Sequence, residues 1–307
     1  MPRITISGGG YTAVIMPERG ANCIDLIHKE SGARVLRTFE GGNPSNAFLF
    51  GMPILFPPNR IKGGKFTFDG REYSLPVNEV KTGCFLHGTL HETPFEVKEV
   101  CDNSVTLEYS ATKDVPYLTY PHEFTFSICY TVDKNGLSQT VKITNNSSLT
   151  MPVGLAYHTT FNIPFVNGSE WSDITMMLPC GVEYDRDMSD YTMTWERVSD
   201  PTFHKAIAEG ITPGEHTISR HFSRPKGASL RLLDSKSGYE VVYEASDSFK
   251  YWMVFNGGAK DYICVEPQTW INCAPHAPKE MGDVGIIKLL PNETETLVTR
   301  LSVSKRI

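Results

Sequence analysis

The sequence lacks the features that mark nucleic-acid-binding, membrane-spanning and secreted proteins. It has no run of lysine and arginine, and its formal net charge is −6, from 29 basic and 35 acidic residues. We therefore expect no nucleic-acid partner and no membrane partner. No apolar run approaches the roughly 18 residues of a membrane span, and the opening Met-Pro-Arg-Ile-Thr does not resemble a secretory signal. These absences predict a soluble, cytoplasmic protein.

Disulfide and metal frameworks are also missing. The seven cysteines are scattered and odd in number, and none forms a C-x-x-C pair. Cysteines of this kind are typical of a reduced cytosolic chain, in which they act as small hydrophobes. His87 and His91 have the spacing of two metal ligands on one helix face. Gly88 and Pro94 make a helix improbable there, so we predict no metal site.

Motifs for acyl transfer and nucleotide chemistry do not occur in the sequence. There is no G-x-S-x-G elbow, no Walker loop and no G-x-G-x-x-G after a strand. The usual signs of nucleophilic serine catalysis and of nucleotide binding are therefore absent. We interpret the glycine runs at 8–10 and 257–258 as turns.

Short segments with a two-residue period are abundant. From Glu123 to Asp133 every second residue is apolar, which is typical of a half-buried strand. Asn135-Gly136 then provides a tight turn, because both residues tolerate a positive φ, and Leu137 to Thr144 returns as the partner strand. Further strands are predicted at Val105–Ala111, Leu230–Leu232 and Tyr239–Tyr243, and a second hairpin is predicted over Phe66–Leu75, with its turn at Asp69-Gly70.

Helical periodicity is scarce. Phe203 to Glu209 predicts two turns of helix, and Val182 to Asp190 predicts one. Many short strands separated by turn signals favour an antiparallel sandwich or barrel over βαβ units. With no linker and no repeat, we interpret residues 1–307 as a single all-β domain with few short helices.

The segment from Tyr262 to Asn272 is the first candidate for a functional site. Its β-branched and aromatic residues predict a strand that ends at Glu266, because Pro267 belongs at a strand end, an edge or a bulge. Gln268 and Trp270 follow closely. A fixed carboxylate beside an amide and an indole suits the binding of a hydroxylated ring compound, although a surface glutamate at an ordinary strand end would show the same pattern.

Three other polar insertions stand in apolar surroundings. A proline-stiffened segment ends in Asn59 and Arg60, and the arginine offers a fork of donors for sugar hydroxyls or a carboxylate. An arginine in an ordinary salt bridge is the alternative. His87 and His158 each follow apolar strand residues. Each could be a hydrogen-bonded core histidine, but four such insertions in one chain favour a shared site.

Five short segments, in this order, resemble the aldose 1-epimerases, also called galactose mutarotases. They are Pro58–Ile61, Leu86–Gly88, Tyr120–Phe124, His158–Asn162 and Val265–Gln268. The resemblance implies a large antiparallel β-sandwich with its site in a cleft on one sheet's concave face. It implies that Glu266 is the general base and His158 the general acid.

The resemblance also implies a small-molecule sugar as partner and no cofactor. Arg60 and His87 are then expected to contact the sugar. We add Asn59, Gln268 and Trp270 as substrate-binding candidates, and a homodimer stays open.

The expected chemistry is the interconversion of α and β anomers. A base removes the proton of the O1 hydroxyl while an acid protonates the ring oxygen; the ring opens, the C1–C2 bond rotates and the steps reverse. We expect Glu266 ionised and His158 protonated, because nearby opposite charges favour both charged forms. Trp270 or Phe161 is expected to form an apolar wall beside the sugar.

One departure from the family leaves the substrate open. The family usually carries a sugar-binding aspartate between the second histidine and the glutamate, and in Pro213–Ser219 only Glu215 or His216 could replace it. The alternatives are an epimerase of a phosphorylated or otherwise modified sugar and a non-catalytic sugar sensor. A glycoside hydrolase would normally need a second catalytic carboxylate, for which the sequence offers no candidate.

Overall fold

A computed structural model describes residues 3–39 and 46–306. Its strands are β1 (Ile4–Gly8), β2 (Tyr11–Met16), β3 (Asn22–His28), β4 (Ala33–Arg34), β5 (Ile54–Leu55), β6 (Arg60–Lys62), β7 (Lys65–Phe68), β8 (Arg71–Ser74), β9 (Cys84–Leu86), β10 (Glu96–Cys101), β11 (Ser104–Ala111), β12 (Phe124–Asp133), β13 (Gly136–Asn145), β14 (Met151–Val153), β15 (Ala156–Tyr157), β16 (Thr160–Asn162), β17 (Ile174–Met177), β18 (Glu183–Arg186), β19 (Met193–Val198), β20 (Ser219–Ser223), β21 (Leu230–Asp234), β22 (Tyr239–Ala245), β23 (Tyr251–Phe255), β24 (Tyr262–Gln268), β25 (Ile287–Leu289) and β26 (Thr294–Lys305). Within those two ranges the one α-helix, α1, spans Pro201–Glu209. Short 3-10 helices lie at Ala47–Leu49, Leu90–Glu92, Trp171–Asp173, Pro213–Glu215, Ala274–His276 and Lys279–Met281.

Two large antiparallel sheets pack face to face. The first has the order β10-β11-β12-β13-β26-β22-β21-β17, and the second has the order β19-β18-β20-β23-β24-β15-β5, with β16 also paired to β24. Tyr243 of the first sheet packs its ring against Phe161 of the second, at 5.6 Å between centroids. Its hydroxyl lies 3.0 Å from Thr159 Oγ1. The predicted antiparallel sandwich is confirmed.

The two-residue period identifies the strands of the first sheet well. β12 has its alternate apolar side chains buried and β13 returns beside it, joined by the predicted turn. The cysteines behave largely as expected, since all seven are free and four are buried. Among residues 3–39 and 46–306, no helix is long and apolar enough to cross a membrane.

One of the two predicted helices is correct. α1 begins two residues earlier than expected, because Asp200 caps it by accepting a hydrogen bond from Phe203 N and Pro201 occupies its first turn. The turn of helix expected over Val182–Asp190 is wrong: Glu183–Arg186 forms β18 instead. β18 pairs with β19 on one side and β20 on the other, and this pairing outweighs a weak local preference.

β24 does not end before Pro267, as the sequence suggested, but continues to Gln268. Toward the neighbouring chain segment, Val265 N donates to Thr159 O at 3.0 Å and Thr269 N donates to Leu155 O at 2.9 Å. Because N–H groups alternate in direction along a strand, the nitrogen of Pro267 faces the gap between β15 and β16. The proline therefore lies where the ladder is already interrupted.

Candidate active site

The register of the second sheet aligns polar side chains from several strands on one face. His221 pairs with Met253, and Met253 pairs with Glu266. Directly paired residues of antiparallel strands point to the same side of the sheet, so these three side chains share a face. Arg186 lies two residues after Tyr184, the partner of His221, beyond a register shift in β18, and its side chain reaches the same site.

His158 joins this face from the break between β15 and β16. There its backbone N–H continues the pairing of β15 with β5 and donates to Pro53 O at 3.0 Å. Its Nε2 lies 3.2 Å from Glu266 Oε1, and the two side chains are 12% and 2% exposed. The structure thus brings the two predicted catalytic side chains into direct contact, although 108 positions separate them (266 − 158).

Burial controls the protonation of this pair. Desolvation raises the pKa of Glu266 to about 8, although a hydrogen bond from Gln268 and the charge of Arg186 oppose the shift. Burial lowers the pKa of His158 to about 4. At neutral pH the pair therefore holds one proton, and burial favours its place on Glu266, in contrast to the ion pair expected from the sequence. Because the two groups titrate together, the proton belongs to the pair.

Glu266 is held by a chain of amide hydrogen bonds. Gln268 Nε2 donates to Glu266 Oε2 at 3.1 Å and to Asn59 Oδ1 at 3.1 Å. In return, Asn59 Nδ2 donates to Gln268 Oε1 at 2.7 Å. Gln268 is fully buried and does not line the cavity described below. Its predicted contact with substrate does not fit this position, and its amide orients the carboxylate instead.

His87 presents a hydrogen-bond donor toward the site. Its Nδ1 accepts the backbone N–H of Asn59 at 3.1 Å, so in the neutral ring Nε2 carries the proton. Burial keeps the pKa of His87 well below its usual value. Both residues have positive φ, 62° for His87 and 63° for Asn59, and such backbone strain concentrates at functional sites.

Arg60 forms the salt bridge that was one of its two expected roles. Its Nε and Nη2 donate to the two carboxylate oxygens of Glu79 at 2.6 and 2.7 Å. Its backbone N–H donates to Asn272 Oδ1 at 2.9 Å, and its guanidinium carbon lies 5.0 Å from the ring centroid of Tyr191. The arginine is therefore a salt-bridged side chain that also borders the site.

These residues surround a cavity of about 350 Å³, within the size range of small-molecule sites. Its lining consists of Asn46, Phe48, Leu49, Asn59, Arg60, His87, His158, Arg186, Met188, Tyr191, Ser219, His221, Met253, Phe255, Glu266 and Asn272. Asn59, Arg60, His87, His158 and Glu266 thus meet in one place, as expected. Their roles stay predictions.

The apolar wall differs from the expected one. Phe161 and Trp270 are buried and lie outside the cavity lining. The indole N–H of Trp270 donates to Pro58 O at 3.0 Å, so it supports the segment behind Asn59. Phe48 takes the expected place, with its ring centroid 5.0 Å from that of His87 and 5.8 Å from that of His158.

Comparison with known proteins identifies the family of this chain. The family model described as aldose 1-epimerase matches residues 2–302. The chain belongs to the aldose 1-epimerase family. A crystal structure of a galactose mutarotase-like protein from Clostridium acetobutylicum has a TM-score of 0.91 at 30% identity, covering 99% of this chain and 95% of that one.

Curated relatives of this family match more distantly. The uncharacterized protein YihR of Escherichia coli K12 is 27% identical over 169 residues, 54% of this chain and 53% of that protein. Galactose mutarotase of Rattus norvegicus is 33% identical over 116 residues, 37% of this chain and 32% of that protein. These matches span about a half and a third of the relatives' lengths, so activity is not transferred from them.

The aspartate typical of aldose 1-epimerases has no counterpart among the described residues that line this cavity. Between His158 and Glu266 the chain contributes Arg186, Ser219 and His221 as polar lining residues, and no acidic one. Glu215 and His216 lie outside the lining, because their 3-10 turn precedes β20. Neither residue is therefore placed to replace the aspartate, and the other possibility, that this contact is absent, fits the described lining.

Sequence reasoning missed Arg186 and His221 as site residues. Both belong to short strands of mixed polarity without a motif around them. Within the described ranges, no group of three histidine, cysteine or acidic residues is placed to hold a metal ion.

Proposed function

We propose that this member of the aldose 1-epimerase family is a mutarotase that interconverts the α and β anomers of an aldose without a cofactor. The observation that carries the proposal is the contact of 3.2 Å between His158 Nε2 and Glu266 Oε1 at the wall of a sugar-sized cavity. A pair that shares one proton offers one donor and one acceptor at the same time. Ring opening of a cyclic sugar needs both.

The closeness of the pair suits the hemiacetal. The O1 hydroxyl and the ring oxygen are bonded to the same carbon, so an acid and a base that serve them must also be neighbours. The base takes the O1 proton as the C1–O1 bond becomes a carbonyl. The acid gives a proton to the ring oxygen as its bond to C1 breaks. After rotation about C1–C2, the same two transfers in reverse close the ring on either face.

We assign the base to Glu266 and the acid to His158. Burial alone favours the proton on Glu266, but the two arrangements differ only in the position of one proton across a short contact. Sugar hydroxyls beside the carboxylate favour its ionised form by donating hydrogen bonds to it. We assign the holding of neighbouring ring oxygens to the Nε2–H of His87 and to the second N–H of the Asn59 amide, whose first N–H is bonded to Gln268.

Glycoside hydrolysis is less well supported by this cavity. Among the described residues that line it, Glu266 alone bears a carboxylate, whereas hydrolases normally use two. Glu79 is close, but it is paired with Arg60 through both oxygens.

The direct test is anomer exchange in a panel of freshly dissolved aldoses. Polarimetry, or exchange NMR at equilibrium, should show interconversion faster than the spontaneous rate in proportion to protein concentration. The panel should include neutral hexoses, hexuronates and hexose 6-phosphates. Protein that binds a sugar and leaves its exchange rate unchanged would favour the non-catalytic sensor.

The catalysed rate should be bell-shaped in pH. Below about 4, the lowered pKa of His158, the pair takes up a second proton and loses its base. Above about 8, the raised pKa of Glu266, it loses its only proton and therefore its acid. Rates measured from pH 3 to 10, after subtraction of the spontaneous rate, should form a plateau between these limits. A rate that rises steadily with pH would contradict a one-proton pair.

A further inference from the structure

Arg186 is the cation of the cavity that forms no ion pair with a described residue. Its Nη2 donates to the carbonyl of Ser219 and, at 2.9 Å, to Ser219 Oγ. Within residues 3–39 and 46–306 no carboxylate oxygen lies within 4.0 Å of it. Two other arginines of this region, Arg60 and Arg220, each have carboxylate partners.

Burial makes this unpaired charge costly. Desolvation holds the pKa of the Arg186 guanidinium below its usual value and the nearby charge of Arg60 adds to this effect, while the charges of Glu266 and Glu183 oppose it. Neutral oxygens of Ser219 satisfy only part of its donor fork. A half-buried arginine with spare donors is typical of a site that receives an anion.

His221 provides a second polar group without a partner at the same place. It is 1% exposed and lines the cavity. Its Nε2 has no hydrogen-bond partner among the residues that the structure describes. Burial lowers its pKa to about 3, and the charge of Arg186 adds to the shift. The His221 ring is therefore neutral, and its Nε2, which has no described hydrogen-bond partner, lies near the charge of Arg186.

The charges of the described lining residues and their ion-pair partners sum to one positive charge. The pair of His158 and Glu266 shares one proton and has no net charge at neutral pH. Arg60 is neutralised by Glu79, and burial keeps His87 neutral. Among the described lining residues, the charge of Arg186 remains.

The strand that carries Arg186 also lies away from the strand that carries Glu266. The first, β18, is separated from β24 by β20 and β23. Three strand spacings correspond to about 14 Å between backbones. A sugar whose anomeric carbon lies at Glu266 therefore extends the far end of its ring toward Arg186.

We propose that Arg186, Ser219 and His221 form a subsite for an oxyanion that the aldose carries far from its anomeric carbon. The class of substrate that fits best is a singly charged aldose such as a hexuronate. This inference rests on the proposed function for the chemistry at the anomeric carbon, and it adds the recognition of charge. A planar carboxylate matches the fork of a guanidinium, and one negative charge balances the one positive charge of the cavity.

The test compares glucuronate, glucose 6-phosphate and glucose as ligands and as substrates. Calorimetry should show that wild-type protein binds glucuronate at least about tenfold more tightly than glucose, the scale of one hydrogen-bonded charge pair. Arg186→Gln should reduce affinity and kcat/KM for glucuronate at least about tenfold more than the same quantities for glucose. Arg300→Gln removes an exposed arginine from the first sheet and should leave both ratios unchanged.

The outcomes separate this inference from the proposed function. Tight, Arg186-dependent binding of glucuronate without anomer exchange would support the subsite and overturn the mutarotase. Exchange with equal preference for glucose and glucuronate would support the mutarotase and overturn the subsite. A preference for glucose 6-phosphate that Arg186→Gln abolishes would retain the oxyanion subsite and correct the charge argument.

Two further measurements test the subsite if Arg186→Gln folds poorly. Arg186→Lys keeps the charge and should keep a preference for the anionic sugar above that of Arg186→Gln. In wild-type protein, glucuronate should shift the ring ¹⁵N resonances of His221, identified by their loss in His221→Gln, more than glucose does. Equal shifts with both sugars would overturn the subsite.

Discussion

Glu266→Gln should reduce catalysed anomer exchange by about 10² or more while sugar binding persists. Glutamine keeps the shape of the side chain and can still accept the hydrogen bond that Gln268 donates to Oε2. It cannot take the O1 proton, and it cannot hold the shared proton of the pair. Exchange NMR gives the rate, and calorimetry gives the affinity for the same sugar.

The control is a buried glutamate in the other sheet. Glu240, 3% exposed and paired with Arg231, lies outside the cavity, so Glu240→Gln should leave the exchange rate per folded molecule near that of the wild type. If Glu266→Gln retained full activity, Glu266 would not be the base.

The pH dependence of folding stability provides an independent test of the raised pKa of Glu266. Because the pKa of Glu266 is raised to about 8 in the folded protein, the folded state holds its proton more tightly than the unfolded chain does. This contribution to stability is complete below the usual glutamate pKa, about 4.3, and is lost as the pH rises through about 8. Glu266→Gln should remove this part of the decline in melting temperature with pH.

His158→Asn should also lower the exchange rate by about 10², because asparagine cannot carry the proton that the ring oxygen needs. The double variant with Glu266→Gln should be little slower than either single variant, since acid and base act in one unit and such losses do not add. Rates for the two single variants and the double variant at one pH test this. His276→Asn, at an exposed histidine that bonds to Lys65 O, is the matched control.

A double variant slower than each single variant by a further factor of about 10² would contradict this expectation. Glu266 and His158 would then contribute independently, and the shared proton would not describe the mechanism.

The sequence predicted the fold where local pattern and tertiary structure agree. The alternation from Phe124 to Val132 indicates both a strand and its buried face, because Phe56 and the segment at Ala21 pack on that face. The prediction from sequence failed at Val182–Asp190, where the local pattern is weak and pairing with β19 and β20 determines the conformation. Strand pairing between distant segments is not visible in a local window.

The limit of a local sequence window also explains which site residues were predicted and which were missed. Glu266 and His158 lie within segments that resemble a known family, and the structure places them in contact. Arg186 and His221 enter the cavity through the register of β18, β20 and β23. No spacing within either strand encodes that register.

Trp270 shows a different limit of prediction from sequence. An indole near a catalytic candidate suggests a sugar platform, but this ring packs against Gly154, where an added Cβ would approach a ring carbon to 2.4 Å. A glycine more than a hundred positions away along the chain thus determines that the indole supports the site from behind.

The reciprocal amide pair of Asn59 and Gln268 has a consequence for how this site can change during evolution. Each side chain both donates to and accepts from the other, and the second donor of Gln268 faces Glu266. A substitution at either position leaves a buried amide group of the other without a partner, which costs about 1–3 kcal/mol. Positions 59 and 268 should therefore covary among relatives: a lineage that loses one amide should lose the other, and single replacements should be rare wherever the glutamate is retained.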